Sequence, residues 1–315
     1  MSTRSRLADR LERADIRIDG ARAWDLQVKD ERFFGRIRRE GSIGLGESYV
    51  EGWWECERLD ELAYRLFSTG IVGSYRTDHA TRFLRLKSRI FNLQRGQRST
   101  KVARTHYDLG NTFFERMLGP TMVYSCAHWS RASTLDGAQE DKLELLCRRL
   151  GVKAGHRVLD VGCGWGGFAR HAATRHGCQV VGITNSSKQR EYAQVFCKGI
   201  PVEVHLMDYR DPRLSALGPF DRVVSVGMFE HVGGKNYGRY MEIIRRLLPD
   251  DGCFLVQTIG THGPCTVDPW IDRHIFPNSA VPRPLDISHA INGRFLIQQW
   301  WNSGRDYDPT LMAWH

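Results

Sequence analysis

The stretch Val158-Leu159-Asp160-Val161-Gly162-Cys163-Gly164-Trp165-Gly166-Gly167 constrains the fold more than any other part of this chain. An apolar β-run empties into a glycine-rich loop, where the backbone can turn tightly and approach a ligand. From about Val152 onward, short apolar runs alternate with helical patterns. The strands expected are Arg157–Val161, Gln179–Ile183, Val202–Leu206, Asp221–Val226 and Cys253–Thr258, with Phe295–Trp300 as a sixth. The helices between them are Phe168–Arg175, Lys188–Lys198 and Tyr237–Leu248. That alternation implies an α/β fold, a Rossmann-like parallel sheet covered on both faces.

Gly162, Gly164 and Gly167 satisfy the spacing G-x-G-x-x-G, which alone is a weak sign of a dinucleotide. A dinucleotide site needs an acidic residue for the ribose about 20 residues further on. That position reads Gly182-Ile183-Thr184-Asn185. Asp160 instead places a carboxylate directly before the loop. It suits a cofactor that carries an ammonium group and no pyrophosphate, a description that fits S-adenosylmethionine. Asp208 and Tyr209 follow the third strand, where an acid beside an aromatic either contacts an adenine or caps the loop.

Residues 1–80 read as a small α+β module. It holds short strands at Ile16–Ile18 and Leu26–Val28, a glycine-rich turn over Gly41–Gly46, the pair Trp53-Trp54 and a helix over Leu59–Ile71. Residues 81–104 form a basic helix and linker. There Phe83, Leu86, Ile90 and Leu93 make an apolar stripe and Arg82, Arg85 and Arg89 share the opposite face. That helix lies on anionic headgroups or packs on the main domain, residues 105–315. A formal net charge of +9 points to a polyanionic partner, nucleic acid or an anionic lipid surface. Eight cysteines without short paired spacings favour free thiols over disulfides or zinc, and His262, His274 and His315 lack ligand spacing, so no metal is expected. No apolar run of about 18 residues and no signal-peptide pattern occur, which places the chain in the cytoplasm.

Together these segments resemble the cyclopropane fatty acid synthases and the related mycolic acid cyclopropane synthases. The likeness runs through His106-Tyr107-Asp108-Leu109-Gly110-Asn111, Met122-Val123-Tyr124-Ser125-Cys126-Ala127, Ser225–Gly233, Ile275-Phe276-Pro277-Asn278 and Asp306-Tyr307-Asp308. Gly44–Tyr49 and Gly52-Trp53-Trp54 resemble the extra N-terminal domain of the phospholipid-modifying branch. The resemblance implies an S-adenosylmethionine methyltransferase fold and a lipid-docking role for residues 1–80. It also implies peripheral association with the inner membrane face, unsaturated phospholipids as partners and a possible homodimer; no nucleic acid is expected, since no Asn-Pro-Pro-Tyr-type tetrapeptide for a flipped base occurs and the basic stretch has few interleaved aromatics. Cofactor contacts would come from Tyr124, Ser125, Asp160, Gly162, Gly164, Gly166, Thr184, Gln189, Asp208 and Tyr209, with Arg210 beside them.

By the same resemblance, the reaction adds a methylene across a cis double bond of an acyl chain. A methyl group is transferred, a carbocation forms, and a bound bicarbonate removes the proton that lets the ring close. The anion's ligands would be Cys126, Glu230, Gln257, Ile259 and Tyr307. Gln257 stands where phospholipid enzymes carry histidine; its amide donates a hydrogen bond but cannot become cationic. Cys126 also reads as a small buried hydrophobe, and His231 as a structural hydrogen-bonder. Trp270, Phe276, Trp300 and Trp301 line an acyl channel or fill the core. Family members continue past His315, so the last strand is expected to be missing, and with it a tail cysteine. A truncated, weak or inactive lipid- and cofactor-binding form is the alternative function, as is a methyltransferase that leaves a methyl branch.

Overall fold

A computed structural model describes residues 2–70, 110–263, 265 and 267–315. The basic segment 81–104, the His106–Leu109 part of its motif and the boundary expected near residue 105 lie outside these residues. The chain divides into two compact units. The described residues of Met1–Asn92 and Thr266–Ile275 form one, and those of Leu93–Cys265 and Phe276–His315 form the other.

The first unit is mostly helical: α1 (Thr3–Glu12), β1 (Gln27–Val28), α2 (Arg32–Glu40), α3 (Ser42–Val50), β2 (Trp54–Glu55) and α4 (Leu59–Ser68). Leu7, Leu11, Phe33, Phe34, Ile37, Trp54 and Leu62 form its core. Ile16–Ile18 contributes only a single bridge, Ile18 to Leu26, rather than a strand. Gly41–Gly46 is not a turn. Beyond Gly41 it winds into α3, and its glycines serve close packing. A Cβ at Gly44 would lie 2.7 Å from the Arg36 carbonyl oxygen, and one at Gly46 would lie 2.3 Å from the Trp270 indole. Trp270 belongs to a short helix, Pro269–His274, that joins this unit and engages Glu47 through Arg273 and His274, each at 3.1 Å. The sequence expectation of residues 105–315 as one domain places this segment in the second unit, whereas it packs with the first.

The second unit contains α5 (Asn111–Leu118), α6 (Leu135–Leu150), β3 (Arg157–Val161), α7 (Gly167–His176), β4 (Gln179–Thr184), α8 (Ser187–Phe196) and β5 (Val202–Leu206). It continues through β6 (Arg222–Val226), α9 (Tyr237–Leu247), β7 (Cys253–Gln257), α10 (Pro284–Ile291) and α11 (Tyr307–Trp314). The strands form one parallel sheet in the order β5-β4-β3-β6-β7. Alternate residues face opposite layers, as the twofold repeat of a strand requires. Leu159, Val161, Ile183 and Val223 meet Tyr240, Ile244 and Leu247 on one side. Val158, Val180, Val224 and Leu255 meet Leu143, Leu146, Phe168 and Ala172 on the other.

Phe295–Trp300 does not form the expected sixth strand. It runs without ladder pairing, with Leu296 94% and Ile297 54% exposed. Its apolar composition suits a strand, but β composition alone creates no ladder without a partner edge. Among the described residues, the sheet therefore ends at β7. No described helix is long and apolar enough to cross a membrane.

Candidate active site

The strand order reverses between β4 and β6, on either side of β3. In an open parallel sheet, the crevice beyond the carboxyl ends of the strands at such a switch point is where ligands bind. A cavity of about 150 Å³ lies there, walled by the loops that leave β3, β4, β5 and β6. Tyr124, Ser125, Asp160, Gly162, Gly164, Thr184, Gln189, Asp208, Tyr209 and Arg210 all line it. Gly166, the remaining expected contact, is set back. A Cβ there would meet Cys197 and Ala193, and Gly167 takes its place in the wall. Gly162 has φ +82°, and a Cβ on it would press to 2.6 Å from the Met228 side chain, so this turn accepts glycine alone.

Asp160 is a buried carboxyl of this cavity, 2% exposed, and its Oδ2 has no hydrogen-bond partner. Burial raises its pKa, while Lys142 opposes that shift electrostatically. Lys142 is a residue that sequence reasoning missed. It projects from α6, is 3% exposed, and donates from Nζ to Ser125 Oγ at 2.9 Å. Burial lowers its pKa, opposed by Cys126 and Asp160. One turn away, Gln139 donates from Nε2 to the carbonyls of Ser125 at 3.0 Å and Val123 at 3.3 Å. The helix thus clamps the Val123–Ser125 segment. At the other end of the cavity, Thr184 Oγ1 donates to Gln189 Oε1 at 2.8 Å. Asp208 accepts from Arg210 Nε at 2.7 Å and Asn185 Nδ2 at 3.3 Å. Burial would raise the Asp208 pKa, but Arg210 outweighs it and holds the carboxyl low. Tyr209 turns its ring edge-on to Tyr240, with centroids 5.0 Å apart.

A second, larger cavity of about 1140 Å³ opens along β7 and the exposed 291–304 segment. Cys126, Glu230, Gln257, Ile259 and Tyr307, contributed by separate loops, strand β7 and helix α11, all line it. Ile259 N donates to Glu230 Oε1 at 2.7 Å, and Gln257 Nε2 donates to the Cys126 carbonyl at 3.2 Å. Glu230 Oε2 and Gln257 Oε1 are buried without hydrogen-bond partners. Burial pushes the Cys126 thiol up to about 11 and raises Glu230 and Tyr307 as well. All three groups are therefore biased toward their neutral, proton-bearing forms.

Thr310, fully buried in α11, ties this region together. Its Oγ1 accepts from Ala127 N at 3.2 Å and Trp129 Nε1 at 2.9 Å, and donates to the Asp306 carbonyl at 2.6 Å. Of the four aromatics proposed for an acyl channel, Trp300 and Trp301 line the second cavity. Phe276 lies near Tyr124, with ring centroids 6.3 Å apart, and Trp270 belongs to the first unit. Ser125 and Gly227 line both cavities. The two cavities therefore adjoin at these two residues.

Residues 94–315 match the family model described as mycolic acid cyclopropane synthetase. The chain belongs to the cyclopropane synthase family. These enzymes use S-adenosylmethionine. Across 307 residues it is 47% identical to the cyclopropane-fatty-acyl-phospholipid synthase of Escherichia coli K12, an alignment covering 97% of this chain and 79% of that protein. Among solved structures, the cyclopropane synthase MmaA2 from Mycobacterium tuberculosis superposes with a TM-score of 0.63 at 31% identity, over 68% of this chain and 81% of that one. The mycolic acid cyclopropane synthase CmaA1 complexed with SAH and CTAB gives a TM-score of 0.62 at 31% identity, with the same two coverages.

Proposed function

We propose that this chain transfers a methylene from S-adenosylmethionine to a cis double bond in the acyl chain of an unsaturated phospholipid, forming a cyclopropane ring. The observation that carries this reading is the shared wall. The cavity that suits the cofactor and the cavity that suits an acyl chain and an anion have Ser125 and Gly227 in common.

The residues present fit each group. Asp160 Oδ2 is an orphaned buried acceptor beside the glycine loop, suited to the ammonium end of S-adenosylmethionine. Asp208 and Thr184 lie along the same wall with polar groups suited to its adenosine part. Bound there, the cofactor supplies an electrophilic methyl group. In the second cavity, Tyr307 and Cys126 can donate to a single small anion, and burial biases Glu230 toward the form that can donate as well. The unpartnered Gln257 Oε1 can accept the hydroxyl of bicarbonate, so glutamine in place of histidine remains compatible with that ion. Bicarbonate held there would supply a base close to the reacting carbon. The remaining task of this chain is to exclude water and position the alkene. Trp300, Trp301, Leu296, Ile297 and Phe295 give the groove an apolar lining for that purpose.

The exposure of Leu296 and Trp300 supports a lipid surface as the source of substrate. Docking at the membrane by residues 1–80 and the basic segment belongs to the same proposal. The experiment is turnover of methyl-labelled S-adenosylmethionine with vesicles of unsaturated phospholipid. Label in the acyl chains supports the reading. Label confined to headgroup or protein, with cofactor binding intact, overturns it.

A further inference from the structure

Away from both cavities, on the α6–α7 side of the sheet, three potential metal ligands converge, Cys147, His171 and His176, and Glu144 lies against the two histidines. Glu144 and Cys147 lie three residues apart on α6, hence on one helical face. His171 and His176 come from α7. Donor atoms of Cys147, His171 and His176 all lie within 4.8 Å of one another. Glu144 Oε2 lies 3.3 Å from His171 Nε2 and 3.0 Å from His176 Nε2. Its other oxygen faces Arg148, 3.7 Å away.

These spacings suit a small tetrahedral ion. With metal–nitrogen and metal–oxygen bonds of about 2.0 Å, the edge of a tetrahedron is roughly 3.3 Å long. The two Glu144–histidine separations, now hydrogen bonds, match that edge, and an ion would draw the carboxylate and the Cys147 sulfur in to complete the set. The charges also suit burial, since one thiolate, one carboxylate and two neutral imidazoles balance a divalent cation. Cys147 is completely buried in the core of this layer, while Glu144 is 40% exposed at the rim and gives an ion a way in.

We infer that Glu144, Cys147, His171 and His176 form a structural site for a zinc-class divalent ion that staples α6 to α7. The staple would act on the scaffold beneath the cofactor cavity, because α6 carries Lys142 and Gln139 and α7 starts at the glycine loop. No step of the proposed reaction passes through it. The site was not legible in the sequence because its ligands span 33 residues and pair only when the two helices pack.

The test uses the full chain without an affinity tag. One equivalent of Zn2+ should survive dialysis, and Co2+ in its place should give a thiolate-to-cobalt charge-transfer band. Added Zn2+ should raise the unfolding temperature. His176→Gln, at a partly exposed position that should not disturb folding, should weaken Zn2+ binding by at least about 10-fold, the lower end of losing even an outer-sphere partner. Cys147→Ser should abolish the cobalt band. Substoichiometric zinc with no cobalt band, or Zn2+ affinity unchanged in His176→Gln, would overturn the assignment.

Discussion

Thr310→Val probes how the groove is held together. Valine keeps the β-branched shape and nearly the volume of threonine, so the substitution removes hydrogen bonding rather than packing. Two donors lose their acceptor, the Ala127 backbone N–H and Trp129 Nε1, and the Asp306 carbonyl loses its donor. Stranding a buried donor costs about 1–3 kcal/mol. The Ala127 amide is fully enclosed, whereas Trp129 is part-exposed and can recover water. The sum should fall at roughly 2–4 kcal/mol of unfolding free energy, read by urea denaturation with an unchanged m-value. Because Cys126 and Tyr307 flank this node, turnover should fall further than cofactor affinity. A loss below about 0.5 kcal/mol, the range of an ordinary surface substitution, would refute the claim that Thr310 anchors α11.

Three other substitutions separate the parts of the site. Asp160→Asn should weaken S-adenosylmethionine binding by about 10- to 100-fold, the equivalent of 1.5–3 kcal/mol for a charge-assisted hydrogen bond; calorimetry showing unchanged affinity would remove Asp160 from the cofactor site. Lys142→Met should change the pH dependence of stability. The folded lysine has a lowered pKa, so the unfolded chain binds more protons between near-neutral pH and the ordinary lysine range, and stability rises with pH there. The variant should lack that rise, and thermal melts with identical slopes in both proteins would contradict it. Glu230→Leu removes the group proposed to donate to the anion, so turnover should drop by about 10- to 100-fold, the equivalent of 1.5–3 kcal/mol for a hydrogen bond to a charged group, with cofactor affinity intact. Equal loss of both would indicate a structural role instead.

The sheet was readable because its strands are buried on both faces and therefore appear as continuous apolar runs. Arg157–Val161 and Val202–Leu206 coincide with the sequence expectation, and the other three strands differ from it by a residue at one end. The glycines of α3 misled because their role is set by Arg36 and Trp270, which lie elsewhere in the chain. Phe295–Trp300 misled because strand composition does not supply a strand to pair with. Lys142 and Gln139 do carry a sequence signal. They fall on the stripe of Leu143, Leu146, Cys147 and Leu150, where a polar residue must have a buried partner. Gathering Cys126, Glu230, Gln257, Ile259 and Tyr307 around one groove depends on contacts across 181 residues, and spacing alone carries no trace of it.

The central claim is that an alkene meets the transferred methyl group beside a bound anion. The most direct measurement is the product formed on unsaturated phospholipid vesicles, in carbonate-free buffer and after bicarbonate is restored, with the acyl chains resolved by NMR. Ring-bearing chains that form with bicarbonate and diminish without it are the result this account expects. Label that enters only branched alkenes, or ring formation indifferent to bicarbonate, would contradict it.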